Sequence, residues 1–182
     1  TLNGEGLQHQ DGHSHLLAYP VPNLVTYDPA YAYELAIIIR NGIKRMYEDQ
    51  ENIFYYITLM NENYAMPEMP KGTEEGILKG MYKFHASDKK SLKLKAQLFG
   101  SGTILNEVLK AAKILEDDYR VSCDVWSVTS YKELRRDALD AERFNLLNPT
   151  AKQKESYIEK MLAKEDGVFV ASSDYVKALP DS

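Results

Sequence analysis

Three of the four histidines in this 182-residue chain crowd into Gly6-Leu7-Gln8-His9-Gln10-Asp11-Gly12-His13-Ser14-His15. Imidazoles titrate near neutrality and offer either an N–H or a lone pair, so such a stretch can hold a metal, move a proton or stabilise a developing oxyanion. Were it extended, the period of two would put His9, Asp11, His13 and His15 on one side, as metal ligands need. The glycines argue against a straight strand, and the competing reading is a hydrogen-bonded polar loop whose histidines cap or line something without chemistry.

Other segments carry weaker signals. Gly100-Ser101-Gly102-Thr103, between a predicted strand and a predicted helix, could cradle a phosphate on backbone N–H groups, and Asp124 lies where a ribose-binding acid would be sought. The third glycine of the dinucleotide fingerprint is replaced by Leu105, so the alternative is a tight turn for close strand-to-helix packing. Asn61-Glu62-Asn63-Tyr64 follows a predicted strand at its carboxyl end, where ligands collect in open α/β sheets. Cys123, the only cysteine, falls in a predicted strand and reads as an inert buried thiol. Tyr31, Tyr33, Tyr55 and Tyr56, among thirteen tyrosines, read as core or interface residues.

The elements that position these residues follow from periodicity. A strand over 23–27 leads through Asp28-Pro29, an N-cap carboxylate and a proline at the first helical position, into a helix over 29–47. Its predicted core face is Ala32, Leu35, Ala36, Ile39, Ile43 and Met46, with Glu34, Arg40, Lys44 and Glu48 outward. Residues 53–59 read as a buried strand. The prolines and glycines between 61 and 80 predict an extended connector and a domain boundary. Beyond it come strands near 81–85 and 92–99 and a helix with apolar face Ile104, Leu105, Val108, Leu109, Ala112 and Leu115. A strand over 121–128 and a helix opened by a Ser130/Glu133 capping box follow. A helix over 153–164, a strand over 168–171 and a helix start at Asp174 close the pattern. Such alternation implies a parallel or mixed sheet covered on both faces.

Composition narrows the function classes. A net charge of −5 and a pI near 5.4 give no electrostatic reason to expect nucleic acid or anionic membrane. The longest aliphatic run, residues 35–39, is far short of the ~20 residues a membrane span needs. One cysteine forbids an internal disulfide and a multi-cysteine zinc site, and fits the cytoplasm. With no initiator methionine and loop-like termini, both ends read as cuts.

The string from Thr1 to His15 resembles the signature of the homodimeric bacterial pyruvate dehydrogenase decarboxylase subunits. The likeness continues in Tyr27-Asp28-Pro29-Ala30-Tyr31-Ala32-Tyr33-Glu34, Asn61-Glu62-Asn63-Tyr64, Gly100-Ser101-Gly102, Ser127-Val128-Thr129-Ser130 and Ala171-Ser172-Ser173-Asp174-Tyr175. Asp11-Gly12-His13-Ser14-His15 is also similar to a loop of transketolases. The resemblance implies an α/β fold in two parts: residues 1–65 as the end of a pyrimidine-binding middle domain, 66–80 as linker, and 81–182 as an incomplete transketolase C-terminal-like domain with a mixed, mostly parallel sheet.

It further implies decarboxylation of pyruvate with thiamin diphosphate and magnesium, their ligands outside this chain, and transfer of the acetyl unit to the lipoyl domain of dihydrolipoamide acetyltransferase. By motif position His9 and His15 are the substrate-side catalytic histidines, while Gln8, Asp11 and His13 support the loop. Gln10 stands where an acid is expected beside His9. No metal ligand is assigned within the chain. The alternatives are a fragment of a transketolase or deoxyxylulose phosphate synthase, and a non-catalytic nucleotide-binding or dimerisation module.

Overall fold

The computed structural model describes residues 10–89 and 91–182. Two parallel strands, β1 (Leu24–Tyr27) and β2 (Phe54–Ile57), are joined through helix α2 (Ala32–Ile43), whose last turn continues as a π-helix over Lys44–Glu48. A short helix, α1 (Ser14–Leu17), precedes them. The second sheet has the order β3-β5-β4-β6, from β3 (Met81–His85), β4 (Leu94–Gly100), β5 (Val121–Val128) and β6 (Val168–Ser172). Strand β3 is antiparallel to β5, whereas β4 runs parallel to both its neighbours. The sheet is mixed and mostly parallel.

Alternation of side chains along the strands supplies two faces. Ala96, Leu98, Cys123 and Val125 pack on Leu105, Val108 and Ala112 of helix α4 (Ile104–Asp118). Met81, Trp126 and Val128 pack on Leu134 of helix α5 (Tyr131–Leu147) and on helix α6 (Tyr157–Leu162). The two sheets are not independent in their packing. Val25, Tyr27, Ile37 and Ile38 share one apolar cluster with Ile77 and Tyr82, and Ala30 and Tyr31 join the α4 cluster. Burying these side chains together stabilises both halves at once.

Several sequence expectations fail for local reasons. Residues Glu74–Lys79 form a helix, α3, inside the predicted connector. Thr73 turns the chain by donating to the Pro70 carbonyl (2.8 Å), and Glu74, Glu75 and Lys79 suit the helix dipole. Helix α6 starts only at Tyr157, where Ser156 and Glu159 make a full capping box. The Ser130/Glu133 box is half formed. Ser130 Oγ accepts from the Glu133 N–H, but the Ser130 N–H already donates to the Gly80 carbonyl (3.1 Å), leaving the Glu133 carboxyl without its reciprocal donor.

No helix starts at Asp174. The Tyr175 N–H donates to Ser173 Oγ (3.1 Å), and single turns run on to Pro180, which cannot donate to a helix. Asp28 is not an N-cap either, because α2 begins at Ala32 with Tyr31 flanking it. The predicted core face of α2 is also displaced. Ile39 and Ile43 are exposed, while Ile37, Ile38, Gly42 and the supposedly outward Glu34 are buried. The aliphatic run covers too much of the helix circumference for periodicity to select a side. Strand β2 is an edge, with Phe54 and Tyr56 exposed, rather than a buried strand. No helix of the described residues is long and apolar enough to cross a membrane.

Candidate functional site

The loops at the carboxyl ends of β1, β2 and β6 and the short helix α1 converge on Thr58. Its hydroxyl donates to Asp28 Oδ1 (2.7 Å) and receives the Tyr175 hydroxyl (3.0 Å), and His15 Nε2 lies 2.9 Å away. A hydroxyl has one proton to give. While Asp28 is ionised and takes that proton, His15 must donate from Nε2; once Asp28 is protonated and donates to Thr58, the Thr58 hydroxyl is free to donate to a His15 Nε2 that carries no proton. His15 is buried, with Tyr175 and Tyr56 edge-on at 4.8 and 5.6 Å. Burial pulls its pKa down to about 4 against a smaller opposing pull from Asp11, so at neutral pH it is a neutral imidazole.

Asp11 accepts from the backbone N–H groups of His13 (3.1 Å) and Ser14 (2.9 Å) and from the Ser14 hydroxyl. Burial alone would raise its pKa, but the bonds from Ser14 and His13, with His15 nearby, outweigh it and hold the carboxyl below its ordinary value. Asp11 thus shapes the turn that opens α1, and the chain cannot present His13 and His15 on one side: His13 is exposed and His15 buried. Among the described residues no group of three or more His, Cys, Asp or Glu could hold a metal ion. Lys132, buried on α5, fastens the segment after α1 by donating to the carbonyls of Ala18 (2.6 Å) and Val21 (2.7 Å). Gln8 and His9 lie outside the described residues.

The Gly100-Ser101-Gly102 turn is built for packing. A Cβ at Gly100 would meet Leu105 Cα at 2.8 Å, and one at Gly102 (φ +51°) would meet the Asp28 carboxylate oxygens at 2.8 and 2.9 Å. The Gly102 N–H donates to the Asp28 carbonyl (3.1 Å). The start of α4 therefore faces the protein's own carboxylate, which would repel a phosphate. The adjoining cavity, between Asp28, Thr58, Thr103, Asp174 and Tyr175, measures only about 20 Å³, room for about one water. Asp124 is engaged by Lys83 (2.7 Å) and the Ser87 N–H (2.8 Å). Burial pushes the Cys123 thiol up to about 11. Tyr64 donates to the Ala30 carbonyl, so the Asn61–Tyr64 segment is tied to the start of α2.

Sequence reasoning missed Asp28 as a site residue, and with it Thr58 and Tyr175. Burial first, then the neighbouring carboxylates of Asp174 and Glu34, raise the Asp28 pKa from 3.8 to about 7, against hydrogen bonds from Thr58 and Ser101 that lower it. A raised folded-state pKa favours folding while the group is protonated, so this contribution is complete below pH ~4 and is lost as pH rises through ~7. Asp28→Asn should accordingly gain about 2 kcal/mol or more over wild type at pH 8, and much less at pH 4.5, at about 1.4 kcal/mol per pKa unit. Urea unfolding at the two pH values checks this, and an equal effect at both would show that Asp28 stays ionised throughout.

Solved transketolases share this architecture. A variant from Pichia stipitis aligns with a TM-score of 0.62 over 92% of this chain and 21% of that one at 20% identity, and the Campylobacter jejuni enzyme with 0.57 over 87% and 20% at 18%. The fold, with its polar site at the strand ends, is that of a transketolase-like α/β protein. Residues 1–67 match the family model described as pyruvate dehydrogenase E1 component middle domain, and residues 80–182 the one described as transketolase-like TK C-terminal domain. Pyruvate dehydrogenase E1 components of Pseudomonas aeruginosa and Escherichia coli K12 are 60% and 54% identical over 97% of this chain. The chain belongs to the pyruvate dehydrogenase E1 component family. It spans about one fifth of the length of these curated relatives.

Proposed function

We propose that this chain is part of a thiamin-diphosphate-dependent pyruvate dehydrogenase of the acetyl-transferring type, cytoplasmic and homodimeric, which decarboxylates pyruvate and reductively acetylates the lipoyl domain of a dihydrolipoamide acetyltransferase. The observation that carries the reading is the 60% identity to a pyruvate dehydrogenase E1 component across nearly the entire chain. Residues 1–65 are then the end of the middle domain, 66–80 the linker and 81–182 the C-terminal domain. Pyruvate turnover by the full-length protein, dependent on added thiamin diphosphate and magnesium, tests the activity. Turnover of ketose phosphates with none of pyruvate would favour the transketolase-type reading.

The described residues do not fit the cofactor. The turn before α4 faces Asp28, the cavity beside it admits about one water, and diphosphate and magnesium ligands belong to parts of the parent beyond this stretch. What this chain contributes is the substrate-side loop. His9 is the proton donor or charge-stabilising group for pyruvate's carboxylate or developing oxyanion. His15, the second catalytic histidine, acts in its neutral form, with Thr58 holding its orientation. Gln8, Asp11 and His13 keep the loop's shape, Asp11 through the hydrogen bonds already given.

The isolated 182-residue chain should therefore show no decarboxylase activity and no saturable binding of thiamin diphosphate with magnesium by calorimetry. Micromolar binding would overturn the placement of the cofactor ligands outside it.

A further inference from the structure

Thr58 joins two titratable groups through a single hydroxyl. That hydroxyl has one proton to give and two lone pairs, and three partners use them all: Asp28 Oδ1 at 2.7 Å, the Tyr175 hydroxyl at 3.0 Å and His15 Nε2 at 2.9 Å. The Tyr27 carbonyl, at 3.4 Å, is too distant to compete for the proton. An ionised Asp28 accepts only, so it takes the Thr58 proton and the other two partners donate. A protonated Asp28 that donates through Oδ1 fills one lone pair, Tyr175 fills the other, and the Thr58 proton turns to His15 Nε2. In a neutral imidazole one nitrogen carries the proton and the other does not, and the bond made at one sets the state of the other. Nε2 is committed to Thr58 in both arrangements, which leaves Nδ1 as the nitrogen available for chemistry.

Burial is the largest influence on both groups, pushing Asp28 up to about 7 and His15 down to about 4. Around Asp28, the carboxyls of Asp174, beyond β6, and Glu34, on α2, oppose ionisation, and the hydroxyls of Thr58 and of Ser101, before α4, favour it. Tyr64, Tyr131 and Tyr175 stand within its electrostatic reach. Around His15 stand Asp11, which favours the charged form, and the rings of Tyr56 and Tyr175. From mildly alkaline to mildly acidic pH, therefore, the carboxyl changes charge while the imidazole stays neutral, and only the position of its proton is open to change.

We propose that Asp28 is a positioning residue that sets the tautomer of His15 through Thr58. Its carboxylate holds the His15 proton on Nε2, so that Nδ1 offers a lone pair; its acid form moves that proton to Nδ1, which then donates. The consequence for turnover rests on the decarboxylase reading, which puts His15 on the substrate side. NMR of the chain carrying nitrogen-labelled histidine reads the two ring nitrogens directly between pH ~8.5 and ~5.5, where Asp28 passes from about nine-tenths or more ionised to about one-tenth or less. A shift of the neutral His15 from Nε2–H to Nδ1–H as pH falls is expected, absent in Asp28→Asn and Thr58→Val and kept in Thr58→Ser. A tautomer constant across this range in the wild-type chain would overturn the proposal without recourse to any variant, as would a transition that persists in folded Asp28→Asn or Thr58→Val. In the full-length enzyme the ratio of wild-type to Asp28→Asn kcat/KM for pyruvate should change about tenfold or more over the same range. A constant ratio beside the expected NMR transition would leave Asp28 in control of the tautomer and remove His15 from the substrate side.

Discussion

His9→Ala in the full-length enzyme is expected to lower pyruvate turnover by roughly one hundred to ten thousand fold, the range for losing a positioned proton donor or charge-stabilising group. In the sequence His9 comes two residues before Asp11, whose carboxyl closes the turn that opens α1 and that Lys132 and Thr58 secure. His13→Ala should cost less, because His13 contributes its backbone N–H to Asp11 and its side chain is exposed. Steady-state kinetics on both variants, with circular dichroism to exclude misfolding, separates the roles. Near wild-type turnover in His9→Ala would leave the chemistry to His15 or to groups elsewhere in the parent.

Glu34→Ala is expected to be the most damaging single substitution for stability. The carboxyl is fully buried, and its two oxygens take four donors: the N–H groups of Ala30 (2.5 Å) and Tyr31 (3.1 Å) and the hydroxyls of Tyr82 (2.7 Å) and Ser127 (2.6 Å). Two come from the chain entering α2 and two from β3 and β5, so one side chain joins the two sheets. Burial raises its pKa while these hydrogen bonds pull the other way. Alanine would leave buried donors unpaired and open a void, costing about 3–5 kcal/mol when unsatisfied groups at about 1–3 kcal/mol each are partly relieved by relaxation. Glu34→Gln keeps an acceptor for one pair of donors and should cost less. Urea denaturation of the purified chain measures both, and a loss under about 0.5 kcal/mol, ordinary for surface positions, would show that Glu34 is dispensable to the junction.

Much of the fold was legible in the residues alone. All six strands and the α4 face at Leu105, Val108 and Ala112 follow from periods and punctuation, because those signals are local, whereas the mixed, mostly parallel character of the second sheet comes from the family resemblance. The Ser156/Glu159 box, whose spacing of three is a local signal, is overlooked when α6 is started from residue 153. What the sequence could not decide lies in contacts between distant segments. Glu34 reads as a surface acid until Tyr82 and Ser127, 48 and 93 residues away, are brought against it. Asp28 reads as a helix cap until Gly102 and Thr58 close around it, and His15 reads as a reactive imidazole until Thr58 and Tyr175 bury it in its neutral form. In each case burial and its compensating hydrogen bonds, which set a polar group's charge and reach, are properties of the assembled sheets and have no signature in the neighbouring residues of the chain.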